Sequence, residues 1–253
     1  MSEFAIEVEG GKSVLLKTAG KYCDRNIVVT ATGGGGDTDA AYQQGVTDGI
    51  EQGKQAEYDR FWDAYQENGE RTDYTNAFSY RGWTDETFNP KYNLVVTRAG
   101  SMFHSSPITG HEKILSADFS QCTSFGLAFI YSAIEEFGVI DLASVSNFGQ
   151  AFQGAKVKKI AKLIVYERNT FNNTFLGTEN LTDITFEGIL ADSISLQWSP
   201  LSRESILSCF SVLSDTATGK TASFQKTAVN AAFTTDEWNA LVASKPNWTI
   251  TLA

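Results

Sequence analysis

The chain reads FGLAFIYSAIEEFGVIDLASVSN (125–147), then FGQAFQGAKVKKIAKLIVYERNT (148–170), then FNNTFLGTENLTDITFEGIL (171–190), three copies of one pattern. Each copy opens on two phenylalanines four residues apart, and the first of each pair recurs every 23 residues. The pairs are Phe125 and Phe129, Phe148 and Phe152, and Phe171 and Phe175. A fixed period of this length is typical of a solenoid, in which each unit buries apolar residues against its neighbours.

A ladder of apolar residues follows each pair. It consists of Ile134, Phe137, Ile140 and Leu142 in the first copy, Val157, Ile160, Leu163 and Val165 in the second, and Leu181, Ile184 and Phe186 in the third, where one residue is inserted early. The phenylalanine pair fits one helical turn or a tight coil, and the last ladder positions alternate as in a short strand. We therefore expect the strands of stacked units to form one parallel sheet.

Looser copies extend the pattern towards the N-terminus. The spacing of Phe103, Ile108 and Ile114 repeats the ladder and predicts about four units, starting near residues 102, 125, 148 and 171. The aromatic cluster over 74–90 is typical of a terminal, degenerate unit. The repeat region is therefore predicted to span residues 72–190.

Residues 191–253 have no period and are predicted to form an α/β cap over the last unit. Ser202 is a good helix N-cap, and Thr234 with Glu237 forms a capping box. The helix after Ser202 is expected to bury Ile206, Leu207, Phe210 and Leu213. Residues 194–196 and 247–252 alternate as strands.

The N-terminal region, residues 1–32, reads as a small β unit. Phe4, Ile6 and Val8 alternate with polar or small residues, and two further apolar runs follow, separated by turn residues. A unit of this size cannot build a large core alone and needs a neighbour. Residues 33–36 are four glycines, which form a flexible linker.

Residues 37–68 are predicted to form a long helix that ends at Asn68-Gly69. Steps of three and four between apolar residues give one stripe, and glycines recur every four residues on the helix. Close approach of another helix or sheet would explain the glycines, so the helix self-associates into a dimer or trimer or packs on its own repeat region; the remaining alternative is that the segment is disordered. The candidate oligomerisation residues are Tyr42, Gly45, Val46, Gly49, Ile50 and Gly53.

The composition excludes several classes of function. A net charge of −10 and a pI of 4.7 argue against nucleic acid and anionic membranes as partners. Three scattered cysteines predict neither a disulfide scaffold nor a zinc site. The sequence has no signal peptide and no apolar stretch long enough to span a membrane, so we expect synthesis in the cytoplasm.

The second copy, FGQAFQGAKVKKIAKLIV at Phe148–Val165, resembles the BspA-like, or Treponema-pallidum-type, leucine-rich repeats. Together with the patterns described above, the sequence predicts an α+β fold: a short leucine-rich-repeat-like solenoid with parallel strands, preceded by a small β unit and a long α-helix and closed by an α/β C-terminal cap. It departs from the family in having few units and few leucines. The resemblance implies a non-catalytic surface that binds proteins or glycans, with no cofactor.

The segment KYCDRNIVVT at Lys21–Thr30, followed by the glycines and the helix, looks like the N-terminal modules of tail or other virion-surface proteins from phages and prophages. That resemblance implies a non-enzymatic, oligomeric virion component that contacts other virion proteins and a bacterial surface protein or glycan. It would act on the particle surface after cytoplasmic synthesis. The alternative is a bacterial leucine-rich-repeat adhesion or interaction protein.

Few residues favour catalysis. His104 and His111 are not accompanied by the carboxylates that would complete a metal site. Glu135 and Glu136 are adjacent in the chain and cannot act as a paired acid and base unless the fold brings them together. The segment Thr218–Thr221 (TGKT) lacks the first glycine of a phosphate loop and is predicted to be a polar turn. Exposed aromatic side chains often contribute most of the binding energy at an interface. Four lysines between residues 156 and 162 form a basic patch. The candidate binding residues are Tyr80, Trp83, Tyr131, Lys158, Lys162 and Tyr166.

Overall fold

The computed structural model describes most of the chain. The described residues are 3–8, 12–18, 27–31, 53, 55–56, 58–80 and 83–253. They belong to two compact units, Met1–Ala64 and Tyr65–Ala253. The fold mixes helices and strands, and two of its small sheets are parallel and open.

The first unit contains the predicted β unit. Strands β1 (Glu3–Val8), β2 (Lys12–Thr18) and β3 (Ile27–Ala31) form an antiparallel sheet in that order. Helix α1 includes residues 53, 55–56 and 58–65, and a 3₁₀ turn at Glu67–Gly69 follows it, where the helix was expected to end. The glycine linker and the predicted oligomerisation residues from Tyr42 to Ile50 lie outside the described residues, and Gly53 is helical.

Five seven-residue segments of the second unit, here called the turn segments, have the same backbone. They are residues 74–80, 99–105, 125–131, 148–154 and 171–177. Backbone N–H groups at alternate positions donate to carbonyls of the next segment, for example Tyr131 N to Gln153 O at 2.8 Å and Gly154 N to Leu176 O at 2.7 Å. The segments therefore lie side by side in chain order.

Each turn segment is a tight coil because its third and seventh residues have positive φ. Left-handed residues prevent the helical turn that the phenylalanine spacing also allowed. The third residues are Asn76, Ser101, Leu127, Gln150 and Asn173, and the seventh are Tyr80, Ser105, Tyr131, Gly154 and Gly177.

A column of phenylalanines, one from each turn segment, forms the centre of the core. Ring centroids of successive members lie 4.9, 5.5, 5.2 and 5.9 Å apart along Phe78, Phe103, Phe129, Phe152 and Phe175. Phe103 is thus the second aromatic position of its segment, and Ala99 is the first. The predicted start near residue 102 is wrong, because an alanine stands where the other copies carry phenylalanine.

Strands β4 (Glu136–Asp141), β5 (Lys159–Val165) and β6 (Asp183–Gly188) form a parallel sheet in that order. The buried residues of these strands belong to the predicted ladder. Only the last ladder positions of each copy were expected to form a strand, and the observed strands begin several residues earlier. The register shifts between β5 and β6 because Ile160 and Leu163 pair with Ile184 and Phe186. The early insertion of the third copy is therefore compensated by a shorter strand.

Both edges of this sheet are covered. At β4, helix α2 (Glu112–Leu115) comes so close that a Cβ on Gly138 would lie 1.9 Å from the Leu115 carbonyl oxygen. At β6, helix α3 (Arg203–Val212) supplies two serines. Ile184 N donates to Ser205 Oγ at 2.9 Å, and Phe186 N donates to Ser208 Oγ at 2.7 Å.

The C-terminal residues form a second parallel sheet of β7 (Ile194–Leu196), β8 (Lys220–Phe224) and β9 (Trp248–Leu252), with helices α4 (Lys226–Ala232) and α5 (Thr235–Ala243). The Ser202 cap, the Thr234 capping box and the two predicted strands are confirmed. Leu207 was wrongly placed in the core: it is 39% exposed, because the buried side of α3 runs through Ile206, Cys209 and Phe210.

Candidate functional site

The turn segments carry no Asp, Glu, Lys or Arg in 35 residues. At the 20% charged content of the whole chain, seven would be expected. The first, fourth and fifth residues of each segment are buried in the phenylalanine core, and the second, third and seventh lie at the surface except where they are half-buried. The outward residues are uncharged: most are small, amide, hydroxyl or aromatic, and Leu127 and Leu176 are aliphatic and half-buried. We call the surface that they form the neutral face.

Amides and hydroxyls occupy much of the neutral face. Exposed members are Thr75, Asn76, Asn172 and Asn173, and half-buried members are Ser101, Ser105, Gln150 and Gln153. Gln150 Nε2 donates to Gln153 Oε1 at 2.9 Å, so two neighbouring amides of one segment hold each other in place. Amides both donate and accept hydrogen bonds, which suits a ligand rich in hydroxyl groups.

Three aromatic side chains from successive segments form a row on this face. Tyr80 is 68% exposed and Tyr131 is 55% exposed, with His104 between them. The centroid of the His104 ring lies 4.3 Å from that of Tyr80 and 6.4 Å from that of Tyr131. The Tyr80 hydroxyl is hydrogen-bonded to His104 Nε2. Burial lowers the pKa of His104, so the imidazole is neutral at pH 7.

The ring of Tyr131 packs against Gly154 of the next segment. A Cβ on Gly154 would be 2.4 Å from Cδ1 of Tyr131, so only glycine allows the ring to lie there. Gln153 Nε2 donates to the Tyr131 hydroxyl at 3.3 Å. The ring is thus held by the neighbouring segment while 55% of the side chain stays exposed.

Both tyrosines adopt a backbone conformation that bulky residues avoid. Their φ values are 47° for Tyr80 and 54° for Tyr131, and the same position holds Gly154 and Gly177 in the last two segments. A non-glycine residue in this region costs roughly 1–3 kcal/mol. Because more than half of each side chain is exposed, burial offsets only part of this cost.

The other two predicted aromatic residues lie elsewhere. Trp83 is half-buried, with its ring 5.6 Å from Phe78 and 5.9 Å from Tyr65, and so belongs to the core. Tyr166 follows β5 and lies 5.6 Å from the guanidinium of Arg168. Neither residue joins the row of Tyr80 and Tyr131.

The predicted basic patch is paired with carboxylates of the adjacent units. Lys158 Nζ lies 2.7 Å from Glu135 and Lys162 Nζ lies 2.6 Å from Glu187. Lys159 sits in register between Glu136 and Asp183, each one strand away. The outer face of the β4–β6 sheet therefore alternates in charge, and the lysines are compensated by neighbouring strands.

The groups weighed for catalysis do not converge. His111 caps α2 by accepting a hydrogen bond from Lys113 N, and Glu135 and Glu136 have different partners. The expected polar turn at Thr218–Thr221 covers only the first two residues, since β8 starts at Lys220. Across the described ranges, no group of three His, Cys, Asp or Glu side chains could hold a metal ion.

Sequence reasoning singled out Tyr80 and Tyr131 but not the face that contains them. The sequence suggests a metal-binding or structural role for His104, and no local pattern indicates that Gln150, Gln153 and the exposed asparagines belong to the same face. The signal that could have identified them is the absence of charge from every seven-residue segment that contains the phenylalanine pair.

None of the described helices is both long and apolar enough to cross a bilayer. No protein-family model matches the chain, and neither the curated proteins nor the solved structures contain a match to it.

Proposed function

We propose that residues 72–190 form a short leucine-rich-repeat-like solenoid, and that the protein is a non-enzymatic component of a phage or prophage particle. In this proposal the neutral face binds a ligand on the bacterial surface. The parallel pairing of β4–β6, the hydrogen-bonded turn segments and the phenylalanine column support the solenoid.

The observation that carries the binding proposal is the pair of exposed tyrosines at positive φ. Tyr80 and Tyr131 occupy a position where glycine is free of strain, and each side chain is more than half exposed. Strained backbone under an exposed aromatic side chain is characteristic of functional surfaces. Tyrosine is also among the residues that most often dominate binding energy.

The assembly part of the proposal rests on the N-terminal region. The antiparallel sheet β1–β3 supports the small β unit, and the segment Lys21–Thr30 supports the likeness to virion modules. A bacterial adhesion protein built from the same repeats is the alternative, since the neutral face would serve either. Mass spectrometry of purified particles and of cell envelopes from the source bacterium distinguishes them by where the chain is found.

Binding can be tested with the fluorescently labelled full chain and whole bacteria. We expect the double variant Tyr80→Gly/Tyr131→Gly to lose about tenfold or more in apparent affinity, because two anchors are removed. The matched control is Lys158→Ser/Lys162→Ser, which changes the sheet face and should bind as the parent does. Equal binding by the parent and the tyrosine variant would refute the proposed binding face.

Oligomerisation can be tested by light scattering on the intact chain. We expect a dimer or trimer, and a monomer in the variant Val46→Lys/Ile50→Lys, because lysines on the predicted apolar stripe would oppose close helix contact. A parent chain that is monomeric at all concentrations would contradict this part of the proposal.

A further inference from the structure

We infer that the ligand of the neutral face is an uncharged polysaccharide that lies along the direction in which the turn segments succeed one another. This inference rests on the proposed binding function and specifies its ligand.

The absence of charge on the face selects against charged ligands. The chain as a whole carries a net charge of −10, so an anionic polymer would be repelled at long range and would find no cation on the neutral face. A cationic ligand would find no carboxylate there either. A charged group that loses water at an interface needs a charged or strongly hydrogen-bonding partner, and an uncharged ligand does not.

The side chains of the face match the chemistry of a sugar. Asn76, Gln150, Asn172 and Asn173 offer amide donors and acceptors to hydroxyl groups. The rings of Tyr80 and Tyr131 present the electron-rich aromatic face that attracts the C–H side of a pyranose ring. Together they provide both halves of sugar recognition, stacking and hydrogen bonding.

The spacing of the segments favours an extended polymer. Hydrogen-bonded neighbouring strands are about 4.8 Å apart, so five turn segments extend about 20 Å and the two tyrosines, which are two segments apart, are separated by about 10 Å. One step along the segments is close to the length of one sugar residue in an extended chain. Tyr80 and Tyr131 would then stack on alternate residues of the same chain.

The face beyond Tyr131 lets the polymer continue. The seventh position is Gly154 and then Gly177, so no side chain rises from it, and the same segments carry the amides of Gln150, Asn172 and Asn173 at their second and third positions. A surface that is level at this end accepts the interior of a long chain and does not require a chain end.

Affinity electrophoresis of the full chain in gels that contain dextran, mannan, laminarin or xyloglucan tests the inference, with polygalacturonate as the anionic probe. We expect retardation by at least one neutral polymer, little change between low and high salt, and about a tenfold or greater loss of affinity in Tyr80→Gly/Tyr131→Gly. Lys158→Ser/Lys162→Ser should be retarded like the parent, and circular dichroism confirms that each variant is folded.

Retardation by polygalacturonate alone, weakened by salt, would overturn the inference, as would retardation by none of the neutral polymers. Cell binding separates these failures from failure of the proposed function. If binding to bacteria depends on Tyr80 and Tyr131, resists periodate oxidation of the cells and is lost after protease treatment, the ligand is a protein. That result would support the proposed binding face and refute a polysaccharide as its ligand.

Discussion

Tyr80 and Tyr131 hold exposed rings on backbone with φ of 47° and 54°. The last two segments use glycine at this position, for which the left-handed region carries no steric cost, and the second segment uses Ser105. At these two positions the coil requires only a residue with positive φ, and the tyrosine ring is an addition to the exposed surface. The strain lies in the backbone, while the ring contributes to the surface.

Replacing Tyr131 tests that separation. We expect Tyr131→Gly to leave the free energy of unfolding unchanged or raise it by up to about 1 kcal/mol, because the strain is relieved. Tyr131→Val should lower it, since a β-branched residue tolerates positive φ poorly. Urea denaturation measures both. A marked loss of stability in Tyr131→Gly would show that the ring supports the fold.

Ser132 is a buried hydroxyl for which the described structure provides no hydrogen-bond partner. The residue 23 positions later is Ala155, which occupies the same place in the next unit. We expect Ser132→Ala to stabilise the protein by about 1 kcal/mol, because an unsatisfied buried hydroxyl is removed.

Ser205→Ala is the matched control for Ser132→Ala. It should destabilise the protein by about 1–3 kcal/mol, since the Ile184 N–H would lose its acceptor. Chemical denaturation of the two variants side by side compares them, and two changes of the same sign would contradict the argument.

Burial raises the pKa of Cys122 from 9.0 to about 11 and that of Cys209 from 9.0 to about 12. Each folded-state pKa lies above the unfolded one, so the thiols favour folding fully below pH 9 and progressively less as pH rises towards 11–12. We therefore expect the free energy of unfolding to fall between pH 9 and 11 in urea titrations, and to fall less in Cys122→Ala/Cys209→Ala. Identical pH profiles would contradict this assignment.

At the scale of the element, the chain closes its sheet edges with local devices. Gly138 admits the Leu115 carbonyl at one edge, and two serines of α3 supply hydrogen bonds at the other. Sheet edges that are covered in this way are poor templates for uncontrolled strand addition.

The strands and turns of residues 125–190 could be predicted because each copy carries the same phenylalanine pair and ladder. The preceding unit was misplaced, since Ala99 lacks the aromatic marker and α2 lengthens the spacing. Strand β8 was missed because KTASF has little apolar alternation and forms a strand by pairing with β7 and β9. The meeting of His104 with Tyr80 depends on the register between segments, which no local pattern reveals.

At the scale of the whole molecule, the phenylalanine column joins successive units into one core. Phe152 is 0% exposed and stacks between Phe129 and Phe175 at interplanar angles of 13° and 4°. Phe152 therefore contacts the phenylalanines of the first and the third copy, and its removal should weaken the packing of both.

We expect Phe152→Ala to lower the free energy of unfolding by about 3–5 kcal/mol. Thermal and urea unfolding of the full chain measure this, with Tyr131→Gly as a surface control that should unfold like the parent. A melting curve unchanged by Phe152→Ala would contradict the shared core.

Ser205 and Ser208 of α3 affect how many repeat copies the parallel sheet of β4–β6 can contain. They give β6 the hydrogen bonds that another strand would give, so the sheet can end after any unit that meets α3. Excision of residues 148–170 would bring β4 against β6 and Phe129 against Phe175, and duplication would add one more step. Loss or gain of a whole 23-residue segment would then shorten or lengthen the surface offered to a ligand while both ends of the structure stay the same.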